Sequence, residues 1–472
     1  MTATPPEAFQ HATWRDKLSG LLLTLIIIMV ILGNWATFAF AETAGMVLSV
    51  LVVALMTPHV KNSRKIFVAI ALGLSYFAVI TRPAPLELLG EGLSRAAFII
   101  AFFCALATLR HVAGLSPAIT HAASYLASQP PGRRYTALTI GAQSFALMLN
   151  YGAISLLGGM SRSSAANEPD PEIRAIRTRR MLQAVHRGFA ATLCWSPLGF
   201  AMVISTSIVD GAEINAIILP ALVSSAILVA AGWGMDRMFK PKLSQPRATS
   251  APQKDAGHVS ALGPIALLLV LIAVPVVVLD LTLGLSAAMS VLIVIPLLSA
   301  GWLVIGATRG ERTRYLGRHA AEFSFMELPS FANEVVLLSM AGFIGSVAGA
   351  ILAPLIAQSG LDLTALPAWV VLISPIVLIP LGGQLGMNPI LFVSLFGPIM
   401  PTPEALGVSP TAVVMALTAG WAIAATTSPF TASVMLTARL GDVSPGTVSL
   451  KWNGLHSLVC AVLLSGWVLM WL

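Results

Sequence analysis

Long apolar runs separated by short polar segments dominate the chain. Runs of about 20 mostly apolar residues suffice for a helix to cross a bilayer, and they lie at 18–40, 42–58, 65–81, 95–115, 185–208 and 213–238. A polar stretch runs from Lys240 to His258, and further runs follow at 261–281, 285–305, 331–357, 410–437 and 452–472. Two more apolar stretches, 136–160 and 368–400, are interrupted at their centres by Gly and Pro. The pattern predicts an all-α polytopic membrane protein with about 11 transmembrane helices plus two hairpins.

Composition agrees. Of 472 residues, 57% are hydrophobic and only 10% charged, against roughly 25% charged in a soluble domain. So few charges cannot cover a water-facing surface of this size, so most of the surface is expected to meet lipid. The net charge of +7 then reports topology, and no nucleic-acid partner is expected.

The basic residues orient the spans. With a cytoplasmic N-terminus and both interrupted stretches entering and leaving on one side, 25 of the 27 Lys and Arg fall inside. Only Arg82 and Arg95 fall outside. The bias fails if either stretch crosses, so both are expected to be re-entrant, the first opening to the cytoplasm and the second to the exterior. The expected location is a bacterial-type inner membrane, with the C-terminus outside. Ala39-Phe40-Ala41 has the look of a signal-peptidase site, but the preceding run is too long for a signal h-region, so the first helix is expected to be retained.

The chain also repeats itself. Leu149-Asn150-Tyr151-Gly152 in the first hairpin is matched by Met387-Asn388-Pro389 in the second, 238 residues on. Ser196-Pro197 in one span is matched by Ser428-Pro429 in another, 232 residues on. The predicted organisation is an accessory helix (1–41), repeat one (42–238), a cytoplasmic linker (239–260) and repeat two (261–472). Repeat one holds hairpin 136–160 and broken helix 185–208; repeat two holds hairpin 368–400 and broken helix 410–437. The repeats begin on opposite sides of the membrane. Inverted repeats with broken helices are the signature of a secondary transporter, with its site where the repeats meet.

Pro197 and Pro429 remove a helical hydrogen bond inside an apolar span, and each forces the preceding Ser out of helical geometry. Ser at N-cap with Pro at the first helical position is expected to restart a half-helix there. Freed N–H groups suit an anion and freed carbonyls a cation. Asn150 and Asn388 each offer a carbonyl oxygen and an NH₂, and nearby Gly152 lets backbone approach closely. The expected substrate-binding set is Asn150, Gly152, Ser196, Pro197, Asn388, Pro389, Ser428, Pro429 and Thr431. The expected metal set is Asn150, Ser196, Asn388, Thr427 and Ser428.

Few ionisable groups lie in the spans. Glu334, His456 and Arg439 are placed near span ends, and Arg187, following Arg174, Arg177, Arg179 and Arg180, is read as an inner-face residue. Proton-driven carriers usually keep Asp, Glu or His in the membrane, so a hard cation such as Na⁺ is the expected coupling ion. No organic cofactor is expected. Cys104, Cys194 and Cys460 lack paired spacing, and no Walker-type loop, HExxH or GxSxG occurs, so neither an ATP-driven motor nor an enzyme is expected.

The eleven spans, opposed hairpins and two broken helices resemble the ion transporter superfamily, most closely its divalent anion/sodium symporter family, over about residues 42–472. In that family each hairpin tip carries Ser-Asn-Thr. Here Asn150 and Asn388 hold the Asn positions, Leu149 and Met387 stand in place of Ser, and Tyr151 and Pro389 in place of Thr. The resemblance implies Na⁺-coupled symport of a small organic anion, such as a carboxylate, by a homodimer working as an elevator. The large subunit of tripartite carboxylate transporters, which needs accessory subunits, and arsenite carriers share the architecture. Proton coupling is the other alternative.

Overall fold

A computed structural model describes residues 13–35, 38–241, 258–308, 310–358 and 363–472. Among these residues every regular element is a helix. The first half holds α1 (Trp14–Trp35), α2 (Ala39–Met56), α3 (Asn62–Thr81), α4 (Pro85–Leu115), α5 (Pro117–Ala127), α6 (Pro131–Leu149), α7 (Gly152–Ala166), α8 (Pro171–Trp195), α9 (Phe200–Ile208) and α10 (Ile214–Met238). The second holds α11 (Gly263–Leu283), α12 (Ala287–Gly306), α13 (Arg312–Glu322), α14 (Ala332–Gln358), α15 (Ala368–Gln384), α16 (Pro389–Phe396), α17 (Pro410–Thr427), α18 (Ala432–Gly441) and α19 (Gly454–Leu469).

Each of the eleven apolar runs carries a helix. Ten spans among the described residues, counting α8–α9 and α17–α18 as one each, are long and apolar enough to cross a bilayer. The eleventh, α19, has 16 residues: Trp452 ends a π-helical turn, the buried Asn453 precedes the helix, and the helix stops at Leu469, three residues before the end of the run. Most of the linker expected at 239–260 lies outside the described residues. Hydropathy also mislocates some starts. Helix α8 begins at Pro171, well before its apolar run, because Asp170 caps it by accepting hydrogen bonds from the backbone N–H of Glu172 and Ile173 and Pro171 fits the first helical position.

The chain forms two compact units, and each draws on both halves of the sequence. One comprises residues up to Val112, Leu271–Asp362 and Ser394–Ile399. In it α3 leaves Ile66, Leu72, Val79 and Ile80 more than half exposed. An apolar face of that kind is stable only against lipid or another apolar surface.

The other unit comprises Ala113–Val270, Leu363–Val393 and Met400–Leu472. It gathers the first hairpin, both broken helices and the tip of the second hairpin. Its centre is α17, where every residue from Thr411 to Thr427 is buried. The helix is built largely of Ala, Thr and Gly, small residues that let neighbouring backbones approach closely. At Gly420 a Cβ would stand 2.2 Å from the Pro375 carbonyl oxygen of α15. At Gly188 of α8 a Cβ would stand 2.2 Å from the Thr139 carbonyl oxygen of α6. Each glycine lies eight residues before its Ser-Pro pair, so the first arm of each hairpin crosses its broken helix at the same height. That correspondence was not among the sequence matches.

Candidate functional site at two helix breaks

Both Ser-Pro pairs interrupt their helices, with near-identical geometry. Ser196 has φ −68 and ψ 117, and Ser428 has φ −76 and ψ 121, the extended backbone that a following proline enforces. Each then closes a β-turn with Pro second: Gly199 N–H donates to the Ser196 carbonyl (3.0 Å), and Thr431 N–H to that of Ser428 (3.3 Å). The expectation that the serines cap the restarting helices is corrected. Each serine caps the C-terminus of the preceding half, and the next halves start at Phe200 and Ala432 behind Gly199 and Thr431. Proline at the second turn position favours a full turn over an immediate restart.

The two serines spend their hydroxyls differently. Both are buried. Ser196 Oγ accepts from Leu198 N–H at 3.2 Å, within its own loop. Ser428 Oγ donates to the Gly383 carbonyl of α15 at 2.7 Å, while accepting from Phe430 N–H. Gln384 Nε2 reaches the Thr427 carbonyl at 2.6 Å. The second break is thus bonded directly to the end of α15, where Leu385–Asn388 form the hairpin tip. Thr427 Oγ1 donates back to Ile423 and Thr431 Oγ1 to Ser428. Pro429 carries no N–H, so the Ala425 carbonyl lacks its helical donor; Ser433 Oγ (2.7 Å) and His186 Nε2 (3.1 Å) take its place.

The hairpin tips differ as well. Asn150 sits between α6 and α7 at φ 50 and ψ −127, a backbone conformation Asn tolerates better than most residues. Among the described residues nothing hydrogen-bonds its side chain. Tyr151 packs at a tilt against Phe189 of α8, ring centroids 5.1 Å apart, and Gly152 opens α7. In the second tip, Asn388 Oδ1 accepts from Ile390 N–H at 2.8 Å and caps α16, which begins at Pro389. Gly386, at φ 84, supplies the left-handed residue that the tip requires.

The two broken helices pack on each other, as do α7 with α18 and α9 with α17. Gly158 of α7 meets Leu440 of α18, and Cys194 lies 4.0 Å from the Thr418 carbonyl. The breaks, the first tip and the second tip therefore belong to one compact unit. No hydrogen bond among the described residues joins Asn150 to Ser196, or Asn388 to Ser428; each tip meets its helix through neighbours. Gln143 does so for the first hairpin, accepting from Trp195 Nε1 and Ser225 Oγ, both at 2.8 Å.

Arg187, read from the sequence as an inner-face residue, is buried, 6% exposed. Its guanidinium donates to Asn453 Oδ1 (2.9 Å), Tyr135 OH (3.2 Å) and the Trp452 carbonyl (2.9 Å). The π-turn ending at Trp452 presents that carbonyl, which also accepts from Gln183. Asn453 in turn contacts His186 Nδ1. His456, expected near a span end, is likewise buried, whereas Arg439 and Glu334 are exposed. Among the described residues no carboxylate pairs with Arg187. The partners that bury it lie 52 to 266 residues away, so no local pattern could reveal them. Also among the described residues, no group of three His, Cys, Asp or Glu side chains converges on a metal position.

No family model matches the chain, and no curated protein matches it in sequence. Solved structures do. The YdaH transporter of Alcanivorax borkumensis superposes with a TM-score of 0.55 at 16% identity, over 87% of this chain and 99% of that one. MtrF of Neisseria gonorrhoeae, described within a class of antimetabolite efflux pumps, gives 0.50 at 11% identity, over 89% and 97%. Neither bears the name of the sodium symporter family that the sequence resembles. What the chain shares with both, over almost their whole length, is the fold of a membrane transporter.

Proposed function

We propose that the protein is a secondary active transporter that moves a small organic anion, a carboxylate foremost, through the unit holding the two helix breaks. The observation that carries this reading is the pair of matched breaks, each buried, each one turn long, and each hydrogen-bonded to a hairpin arm by its serine or the residue before it. Non-helical backbone at membrane depth is tolerated only where it lines a cavity or is buried in protein. Two such places in one unit supply unspent N–H and C=O groups for a solute and an ion.

Asn150, Gly152, Ser196, Pro197, Asn388, Pro389, Ser428, Pro429 and Thr431 bind the substrate on this reading. Na⁺ is the coupling ion, held by oxygens of Asn150, Ser196, Asn388, Thr427 and Ser428, because hydroxyls, amides and carbonyls suit a hard cation. The free side chain of Asn150 supports this assignment. The chain is read as two inverted repeats with re-entrant hairpins in an inner membrane, N-terminus inside, belonging with the divalent anion/sodium symporters. That both breaks fall in one compact unit, and α1–α3 in another, supports an elevator mechanism by a homodimer.

Uptake into proteoliposomes tests the proposal. A library of small radiolabelled carboxylates is offered with and without an inward Na⁺ gradient. Gradient-driven accumulation is expected, and Asn150→Ala or Asn388→Ala should reduce it at least tenfold. Uptake untouched by both substitutions would overturn the assigned site. The likeness to MtrF favours a second reading, export of an organic metabolite analogue. Accumulation in inverted vesicles but not in right-side-out ones would select it. Transport appearing only when partner subunits are added would select a tripartite-type permease.

A further inference from the structure

A cavity lined by cations, separate from the helix breaks, lies in the same unit. The cavity, of about 240 Å³, lies where α6 and α8 begin, with Lys240 and Pro241 in its lining. Four cations line it: Arg134, Arg177, Arg180 and Lys240. Its one acidic wall residue is Glu168, 4.0 Å from Arg177. Arg180 is held in a fork by Asp236, at 2.8 and 2.6 Å. Arg134 is 7% exposed and spends Nε on the Gln129 carbonyl at 2.6 Å. Arg177 donates to Ser164 Oγ at 2.8 Å. Lys240 has no hydrogen-bond or ion-pair partner among the described residues.

Behind the wall, the hydroxyl of Tyr135 accepts from Arg187, a buried cation paired with no carboxylate among the described residues. Among the described residues, four cations line the cavity with a fifth, Arg187, behind it, and Glu168 and Asp236 are the carboxylates seen paired with them. The first turns of α6 and α8 also point their positive dipole ends at this region. Excess positive charge held on rigid helices around a partly enclosed cavity calls for a compact polyoxyanion. Arginine forks match phosphate oxygens best.

We infer that this cavity binds a phosphate group, carried either by an anionic phospholipid headgroup or by a soluble phosphate compound. The sequence reading places its cationic residues on the cytoplasmic side, where basic pockets between helices meet acidic headgroups. The inference does not depend on what the helix breaks transport.

Thermal unfolding of the full-length protein in nanodiscs provides the test, since a ligand of the folded state raises apparent stability. One arm adds phosphatidylglycerol or cardiolipin to phosphatidylcholine discs. The other titrates inorganic phosphate or pyrophosphate into discs of phosphatidylcholine alone. A saturable rise in melting temperature is expected in one arm, and the arm identifies the source. Lys240→Gln should at least halve that rise, and Lys240→Gln with Arg177→Gln should abolish it. Arg312→Gln, at an exposed residue of α13 remote in sequence, should leave it intact. No rise in either arm would overturn the inference. So would an undiminished rise in Lys240→Gln, or an equal loss in Arg312→Gln.

Discussion

The two broken helices are near twins in backbone and opposites in side-chain commitment. Both unwind at Ser-Pro, both cross a hairpin arm at a glycine eight residues earlier, and both turn within four residues. Yet the Ser428 hydroxyl is tied across to Gly383 of the adjoining hairpin arm α15, while that of Ser196 bonds only within its own loop. Shifting by the same 232 residues, Arg187 and His186 of α8 correspond to Ala419 and Thr418 of α17. The first helix therefore carries the buried cation and its polar network, and the second carries a small-residue surface locked to its hairpin. Matching backbone geometry supplies both breaks; divergent side chains then make one break a fixed joint and leave the other freer.

Substitutions can break or sharpen this contrast. The largest effect is expected at the shared feature. Gly420→Ala and Gly188→Ala each drive a Cβ into a backbone carbonyl, and overpacking of that kind costs about 1–3 kcal/mol. Both should lower the melting temperature in detergent by similar amounts. A large effect at one site with none at the other would end the equivalence of the two crossings.

Arg187→Met is next. It leaves Asn453 Oδ1 and Tyr135 OH without the donor that Arg187 supplies, while the Trp452 carbonyl keeps Gln183, and an unsatisfied buried polar group costs about 1–3 kcal/mol. Ala419 of α17 has no such network to lose, so Ala419→Ser should change stability far less. Equal melting temperatures for wild type and Arg187→Met would show that the network contributes nothing.

Ser428→Ala removes the cross-link to the Gly383 carbonyl, which keeps the Gly386 N–H, and leaves Phe430 N–H without its acceptor; it should cost on the order of 1 kcal/mol. Ser196→Ala gives up only a local turn bond and should cost measurably less. Reversal of that order in denaturation would contradict the fixed-joint assignment. The smallest difference concerns the tips. Asn388→Ala removes a helix cap, about 0.5–1 kcal/mol. Asn150→Gly relieves a left-handed residue and should leave stability unchanged or slightly higher while impairing transport. Stability measured on both variants, beside uptake, separates a structural amide from a binding one.

Much of the fold was legible because its signals are local. Apolar runs mark the spans, Ser-Pro marks each break, and Asn150 and Gly386 mark the turns. What escaped is what long-range packing decides. Arg187 follows four arginines in sequence, so its charge pattern looks like an exposed face; only Tyr135, Trp452 and Asn453, brought from elsewhere, bury it. The serines were correctly singled out as break points, but their role as C-caps was not legible. That role depends on a turn closing behind each proline, and Gly199 and Thr431 complete those turns.

The Ala425 carbonyl carries a last consequence. Its helical donor would be the amide of residue 429, and an imino acid there has no hydrogen to give. Ser433 and His186 fill that gap from outside the helix. The notch in α17 is thus written into covalent structure, and no rearrangement of the chain can heal it into a continuous rod. Any motion of this unit must carry the notch along intact, together with the histidine and serine that keep its oxygen occupied.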